Sequence, residues 1–483
     1  MGKLLKKYNN LSAMSRASLW LAFCNLMMKG ISVITVPIFT RLLTTEEYGT
    51  YSLYLSWFNI LTIFTSLYLY YGVFNNVLNR VTKPDERDKY VSSMQGLTTF
   101  LVIILSLIYL SCRSFWSDLL RLSEAALCLM LLHLWVEPCA QFWLARQRFE
   151  FKYKHAVAIT TIKSLLNPLL GLLLVLNTSR DKALARILSV VMTELLVAGS
   201  LMIYQFFKGR TFFDKSNWKY ALRFNIPLLP HYLSMVVLSQ ADRVMIERYA
   251  GVGKVGIYSV AYSIGMLAQV FTNAVNSSLT PWTYEKLNRK DYKAIRENTN
   301  TLLLLLAGVI CCMLLFVPEV VAFFAPEKYY EAIYVVPPVA CSVFFTFLYN
   351  IFAIPQMYFE RQKFMSAAST AAAALNIILN YIFIRMFGYI AAGYTTVACY
   401  LIYSIGHYVF NQMVCKDKTD GHELYDQKSI LLISTFVLLC SVGFNFLYSF
   451  SVIRYVLFVI VGIVAFIFRR KITGVMLSVR KKS

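Results

Sequence analysis

Residues 41–52 read RLLTTEEYGTYS, and residues 248–259 read RYAGVGKVGIYS. Each stretch begins at the end of a long apolar run. Both carry an arginine, seven residues, a glycine, any residue, a tyrosine and a serine, at Arg41, Gly49, Tyr51, Ser52 and again at Arg248, Gly256, Tyr258, Ser259, 207 residues on. A second pair of markers keeps the same order. Gln141, Arg146, Gln147, Arg148 and Phe149 recur as Gln356, Arg361, Gln362, Lys363 and Phe364, 215 residues on. Two markers in one order at nearly equal offsets indicate an internal duplication with a period of about 210 residues.

Outward from these markers the chain is a succession of apolar runs. Of its 483 residues, 58% are hydrophobic and 15% charged, and the mean hydropathy is +0.57; a soluble domain carries about 25% charged residues. That excludes a soluble globular protein. Runs of about 18 or more apolar residues, each enough to cross a bilayer as a helix, place fourteen helices. Six lie near Ala17–Thr40, Tyr48–Val73, Val91–Ser111, Leu119–Trp143, Ala156–Leu176 and Leu184–Phe207. Eight more lie near Leu228–Glu247, Val255–Trp282, Thr301–Phe324, Ile333–Tyr358, Met365–Phe387, Tyr389–Val414, Ser429–Tyr448 and Val452–Phe468. The expected fold is therefore an all-α polytopic membrane protein. Six helices per repeat is an even number, so the two repeats run parallel, an arrangement found in transporters. The expected division is an N-terminal six-helix lobe over 1–210, a C-terminal six-helix lobe over 211–415, and two additional helices with a basic tail over 416–483.

The net charge of +22 comes from 47 Lys and Arg against 25 Asp and Glu. In a soluble protein it would suggest nucleic acid. Here ~33 of the basic residues fall in the N-terminus, the even-numbered connections and the tail, where Arg469, Arg470, Lys471, Arg480, Lys481 and Lys482 lie, so both ends are expected on the cytoplasmic side. The first helix follows the basic segment Met1 to Arg16 without a small-residue cleavage site, as a retained span would. The ten cysteines fall mostly inside apolar runs with no paired metal-ligand spacing, as small buried residues do. No phosphate-binding glycine loop, HExxH or nucleophile constellation occurs, and the five histidines are scattered. The sequence calls for no cofactor and no metal, and for a transporter and not an enzyme.

Ionisable groups inside spans are costly and point to function. Lys29 has Asn25 one turn before it, and Lys163 has Asn167 one turn after it, each pair sharing a helix face. Arg243, next to Asp242, and Asn376 with Asn380 complete the candidate substrate-binding set. Asp242, Glu194 and Glu137 are the candidate coupling residues or charge partners. A hydrated cavity holding Lys29, Lys163 and Arg243 suits a phosphate-bearing substrate, since ammonium and guanidinium groups pair strongly with phosphate oxygens. Set against three carboxylates, it is a mixed and not a strongly positive cavity. Some of the 32 tyrosines could stack on sugars, although tyrosines more often form interfacial belts.

Over nearly its whole length the chain resembles bacterial polysaccharide repeat-unit flippases, the Wzx-like O-antigen and capsule type within the multidrug/oligosaccharidyl-lipid/polysaccharide (MOP) exporter superfamily. The resembling residues are Pro37 to Leu43 with Tyr48-Gly49, Asn225-Ile226-Pro227 through Pro230-His231, Ser239 through Asp242-Arg243, and Val255 to Ser259. The resemblance implies two six-helix lobes around a cavity. It also implies transfer of an undecaprenyl-diphosphate-linked oligosaccharide from the cytoplasmic to the outer leaflet of a bacterial inner membrane by alternating access, driven by a proton or sodium gradient, alongside other polysaccharide-assembly proteins. By similarity, Asp242-Arg243 matches the family's seventh-helix motif. A drug/cation antiporter of the same superfamily would share the fold but needs no cavity cations. A polysaccharide polymerase would carry a long outer loop, and no outer connection here exceeds about a dozen residues.

Overall fold

The computed structural model describes residues 13–361, 363–419 and 421–467. The basic segment before Ala13, the tail arginines and lysines, Gln362 and the side chains of Asn25, Lys363 and Phe364 lie outside the described residues. Within them all regular structure is helical. In chain order the α-helices are α1 (Ala13–Leu42), α2 (Thr45–Ser66), α3 (Gly72–Arg80), α4 (Pro84–Ser111), α5 (Arg113–Leu120), α6 (Glu124–Phe149), α7 (Tyr153–Leu176), α8 (Lys182–Gly209), α9 (Lys215–Asn225), α10 (Leu229–Ala250) and α11 (Val252–Gly265). They continue as α12 (Ala268–Asn288), α13 (Tyr292–Leu315), α14 (Val317–Phe324), α15 (Val336–Tyr358), α16 (Lys363–Phe387), α17 (Ala391–Lys418), α18 (Gln427–Leu447) and α19 (Ser451–Ile467).

The stretch that exposed the repeat also shows how a helix is started. Thr44 accepts from the Glu47 amide through its hydroxyl (3.1 Å), and the Glu47 carboxylate accepts from the Thr44 amide (2.8 Å), a reciprocal cap that opens α2. Asp181, Asp291 and Asp426 cap α8, α13 and α18 one-sidedly, each carboxylate accepting from an amide of the first turn.

Each of the fourteen expected runs falls on helix as far as it is described, and five of them are broken inside, two near their starts, at Arg121–Ser123 and at Val335, and three further in. The run over 48–73 stops at Ser66, where Leu67 and Tyr68 take left-handed backbone. The run over 255–282 bends by 44° between α11 and α12. The run over 301–324 breaks at Phe316, where Pro318 sits in the first turn of α14 and cannot continue the preceding helix. Nine helices among the described residues are by themselves long and apolar enough to cross a membrane, or ten if the bent pair is one span. The chain is a multi-pass membrane protein. Helices α2 and α17 fall outside that set because they carry internal polar residues. In α2 the hydroxyls of Ser52, Ser56, Thr62 and Ser66 bond to carbonyls one turn back, which satisfies them without a partner helix.

The chain divides into two compact units, residues 1–236 and 237–483. The sequence reading divides at 210, and the difference lies in α9 and its flanks. Trp218 donates to the Ser93 carbonyl (2.9 Å), and Asn225 donates to the Leu67 carbonyl (2.8 Å), so this stretch belongs to the first unit. In that unit α6 packs against α8 and α4, and α7 lies between α8 and α1. Gly96 allows α4 to meet the chain after α8, since a Cβ there would lie 1.8 Å from the Phe212 carbonyl oxygen. In the second unit α15 is central, covered by α17, α11, α12, α13 and α18. The last two helices pack onto this unit. Arg454 of α19 grips Glu319 with both terminal nitrogens (2.7 and 2.8 Å) and donates to the Leu315 carbonyl (2.7 Å). All ten cysteines are free, and Cys112 and Cys128 differ from expectation in being exposed.

Candidate functional site

In the first unit a cavity of about 570 Å³ runs between α1, α6, α7 and α8. Helix α1 contributes Cys24, Met28, Ile31, Ser32 and Thr35; α6 contributes Gln141 and Arg148; α7 contributes Thr160, Lys163, Ser164 and Asn167; α8 contributes Arg186. Lys163 and Asn167 therefore share one wall, as their spacing predicts. Lys29 does not line this cavity and is exposed. It follows Met28 by one residue, and one residue turns an α-helix by about 100°, so it leaves the stripe formed by residues 24, 28, 31 and 35.

Lys163 pairs with Glu194 at 2.6 Å, with 29% of the lysine side chain still exposed. Glu194 itself is only 3% exposed. Glu137 is buried beside them and accepts from the Gln141 amide (2.7 Å). The second carboxylate oxygens of Glu137 and Glu194 are buried with no hydrogen-bond partner among the described residues. The sequence offers Glu194 as a charge partner without fixing its cation; the structure gives it to Lys163.

Arg186 was absent from the candidate set because it stands only four residues inside α8, where it reads as a connection charge. It is buried and forms the second polar node of the cavity. One terminal nitrogen donates to Asn167 Oδ1 and to Ser189 Oγ (2.7 Å each), and the other to the Tyr51 hydroxyl (3.2 Å). The guanidinium lies 4.3 Å from the Phe39 ring centre and 4.8 Å from that of Tyr51. Gly171, one turn beyond Asn167, leaves room for it, since a Cβ there would lie 3.0 Å from the guanidinium and 2.7 Å from the Phe39 ring. The available signal was Tyr51, the tyrosine of the repeated motif.

In the second unit the motif's other copy does comparable work around a carboxylate. Asp242, 1% exposed, accepts from the Tyr258 hydroxyl (2.6 Å), Thr396 Oγ1 (2.9 Å) and Asn380 Nδ2 (2.7 Å). Asn380 also donates to Asn376 (3.2 Å) and accepts from Thr395. Asn376 and Asn380, expected at the substrate, are fully buried in this cluster. Arg243 does not pair with Asp242 among the described residues. It donates to Ser259 Oγ (3.1 Å) and the Ser239 carbonyl (3.0 Å), and lies 4.4 Å from the Tyr262 ring centre. The tyrosine and serine of the repeat thus each take one member of the Asp-Arg pair. Tyr51 and Tyr258, the repeat's tyrosines 207 residues apart, thus contact a cation, Arg186, in the first unit and an anion, Asp242, in the second.

Comparison with solved structures places this fold among transporters. An inward closed conformation of the lipid II flippase MurJ superposes with a TM-score of 0.72 at 13% identity, covering 94% of this chain and 99% of that one. An inward-facing multidrug resistance MATE family transporter of the MOP superfamily superposes with a TM-score of 0.64 at 14% identity, covering 83% and 100%. The protein has the fold of the MOP-superfamily transporters. Residues 15–286 match the family model described as polysaccharide biosynthesis protein, and residues 227–414 match the MatE model. The chain belongs to the polysaccharide biosynthesis protein family. A curated relative, Lsg locus putative protein 1 of Haemophilus influenzae, is 24% identical over 284 residues, 55% of this chain and 64% of that protein's length.

Proposed function

We propose that the protein carries an undecaprenyl-diphosphate-linked polysaccharide repeat unit from the cytoplasmic to the outer leaflet of a bacterial inner membrane by alternating access. The observation that carries this reading is the row of cations in the first unit's cavity, found in a member of a polysaccharide biosynthesis family. Arg186 and Glu194, the partner of Lys163, are eight residues apart on α8, about 12 Å along its axis. Positive groups on α7 and α8 thus stand at separate levels of the cavity lining, with Arg148 on α6 as a third. Such a wall suits an anionic, phosphate-bearing substrate moving along it. A cationic drug would be repelled by the same groups, which disfavours the drug/cation antiporter reading. A structural neighbour described as a lipid II flippase supports a lipid-linked substrate.

Asp242 is the coupling residue in this reading. A carboxylate enclosed by neutral donors on α11, α16 and α17 changes its partners when it gains or loses a cation, and three helices would respond. A proton or a sodium ion fits that role. Both termini face the cytoplasm, which reporter fusions after Arg80, Lys152 and Lys215 (cytoplasmic) and near Thr45, Arg180 and Lys328 (external) would test. Transport itself is tested by deleting the gene. Lipid-linked repeat units should remain intact but trapped on the cytoplasmic leaflet; single units exposed outside would instead indicate a polymerase.

A further inference from the structure

The break after α2 builds a surface that charge alone does not explain. Leu67 and Tyr68 have φ of 47° and 48°, a region disfavoured for residues with a Cβ and one that persists where surroundings enforce it. Here Asn225 holds the Leu67 carbonyl (2.8 Å), and the Ser66 hydroxyl accepts from the Tyr68 amide (3.2 Å). The turn gathers Tyr68, Tyr70 and Tyr71 with Tyr232. Ring centres lie 5.3 Å apart for Tyr68 and Tyr71, 4.9 Å for Tyr70 and Tyr71, and 5.2 Å for Tyr68 and Tyr232. Beside them opens a second cavity of about 420 Å³, lined by Tyr70, Tyr71, Asn75, Gln141, Arg148 and Phe149. It shares Tyr71, Gln141 and Arg148 with the cationic cavity.

An interfacial belt places tyrosines where the ring meets lipid and the hydroxyl meets headgroups. Of these rings Tyr70 and Tyr71 line a concavity that also holds two amides and a guanidinium. Tyr71 is 52% exposed, and Asn75 is exposed next to it. The Gln141 amide nitrogen is held by Glu137, which turns its carbonyl oxygen into the acceptor available to a ligand. An aromatic face with flanking amides is the chemistry that recognises a pyranose: the C–H face of the sugar packs on the ring, and its equatorial hydroxyls reach the amides.

We propose that the tyrosine cluster at residues 68–71 is a saccharide platform, on which the sugar next to the diphosphate stacks against Tyr71 while Asn75 and Gln141 bond its hydroxyls. Arg148, common to both cavities, then lies at the junction of sugar and phosphate. This deepens the transport reading above and rests on it.

The test measures binding by the full chain in lipid nanodiscs with two probes, undecaprenyl diphosphate carrying a single hexose and undecaprenyl diphosphate carrying none. The wild type should bind the hexose-bearing probe about tenfold more tightly, the scale of one well-stacked ring with its bonds. Tyr71→Ala should erase that difference by weakening the hexose-bearing probe more than the bare lipid, whereas Tyr71→Phe should keep most of it. Asn75→Ala, at an exposed side chain, should narrow the difference in the same direction and serves if Tyr71→Ala does not fold. Equal weakening of both probes by Tyr71→Ala, or a wild type that does not distinguish them, overturns the platform and leaves the transport reading standing. A wild type that binds neither probe overturns both.

Discussion

Replacing Lys163 by methionine separates the two things this residue does. Glu194 is almost fully buried and its one ion-pair contact among the described residues is the 2.6 Å contact to Lys163. Removing one member of a buried pair strands the other charge and costs about 3–5 kcal/mol. The lysine side chain keeps 29% of its surface open to the cavity, so water screens part of that, and about 3 kcal/mol is the expected loss. Thermal unfolding of the purified protein, followed by size-exclusion fluorescence, reads it directly. Adding Glu194→Gln removes the stranded charge, and stability should return to within about 1 kcal/mol of wild type. Transport, scored by surface polysaccharide in a deletion strain, should stay lost in the double mutant, because the ammonium that faces the cavity is gone. A double mutant that regains both stability and transport would show that Lys163 only neutralises Glu194, and the cation-wall argument would fail.

Arg186→Lys should lose most transport while the protein still accumulates, since a point charge cannot reproduce the fork held by Asn167, Ser189 and Tyr51; activity within twofold of wild type would refute that. Tyr258→Phe removes one bond to a buried carboxylate and should lower stability by about 1.5–3 kcal/mol, and Asp242→Asn should abolish ion-driven transport with the protein still inserted; ion dependence that survives Asp242→Asn would place coupling elsewhere. Glu150 supplies a pH test outside the spans. Burial alone would raise its carboxyl, but hydrogen bonds from Lys152 (2.6 Å) and Arg146 (2.9 Å) outweigh it and hold it below the usual carboxylate range. Its contribution is therefore present above the unfolded value of about 4.3 and is lost as pH falls through the lower folded one. The unfolding midpoint of wild type should drop more steeply below pH 4.3 than that of Glu150→Gln, and parallel curves would contradict the assignment.

The membrane-spanning helical class and the positions of the fourteen runs were legible in the chain, because hydropathy is a local property. Lys163 and Asn167 met one cavity because four residues make nearly one turn, whereas the cap of Thr44 and Glu47 starts α2 three residues before the apolar run that the sequence marks at Tyr48. Partner choice was not legible in this way. It depends on which helix lies opposite and on rotation about each axis, and a single residue's step of about 100° took Lys29 off the cavity wall and sent Asp242 and Arg243 to different partners. Arg186 looked like a connection charge by position and became a buried node once α8 packed against α7 and α2. Glu194 met Lys163 for the same reason. The sequence by itself determined which stretches are helical, while several starts (Pro84 for the run at Val91, Tyr292 for the run at Thr301) lie further out in polar residues; only the packing of α1, α6, α7 and α8 decided which charges neutralise one another and which face an open cavity.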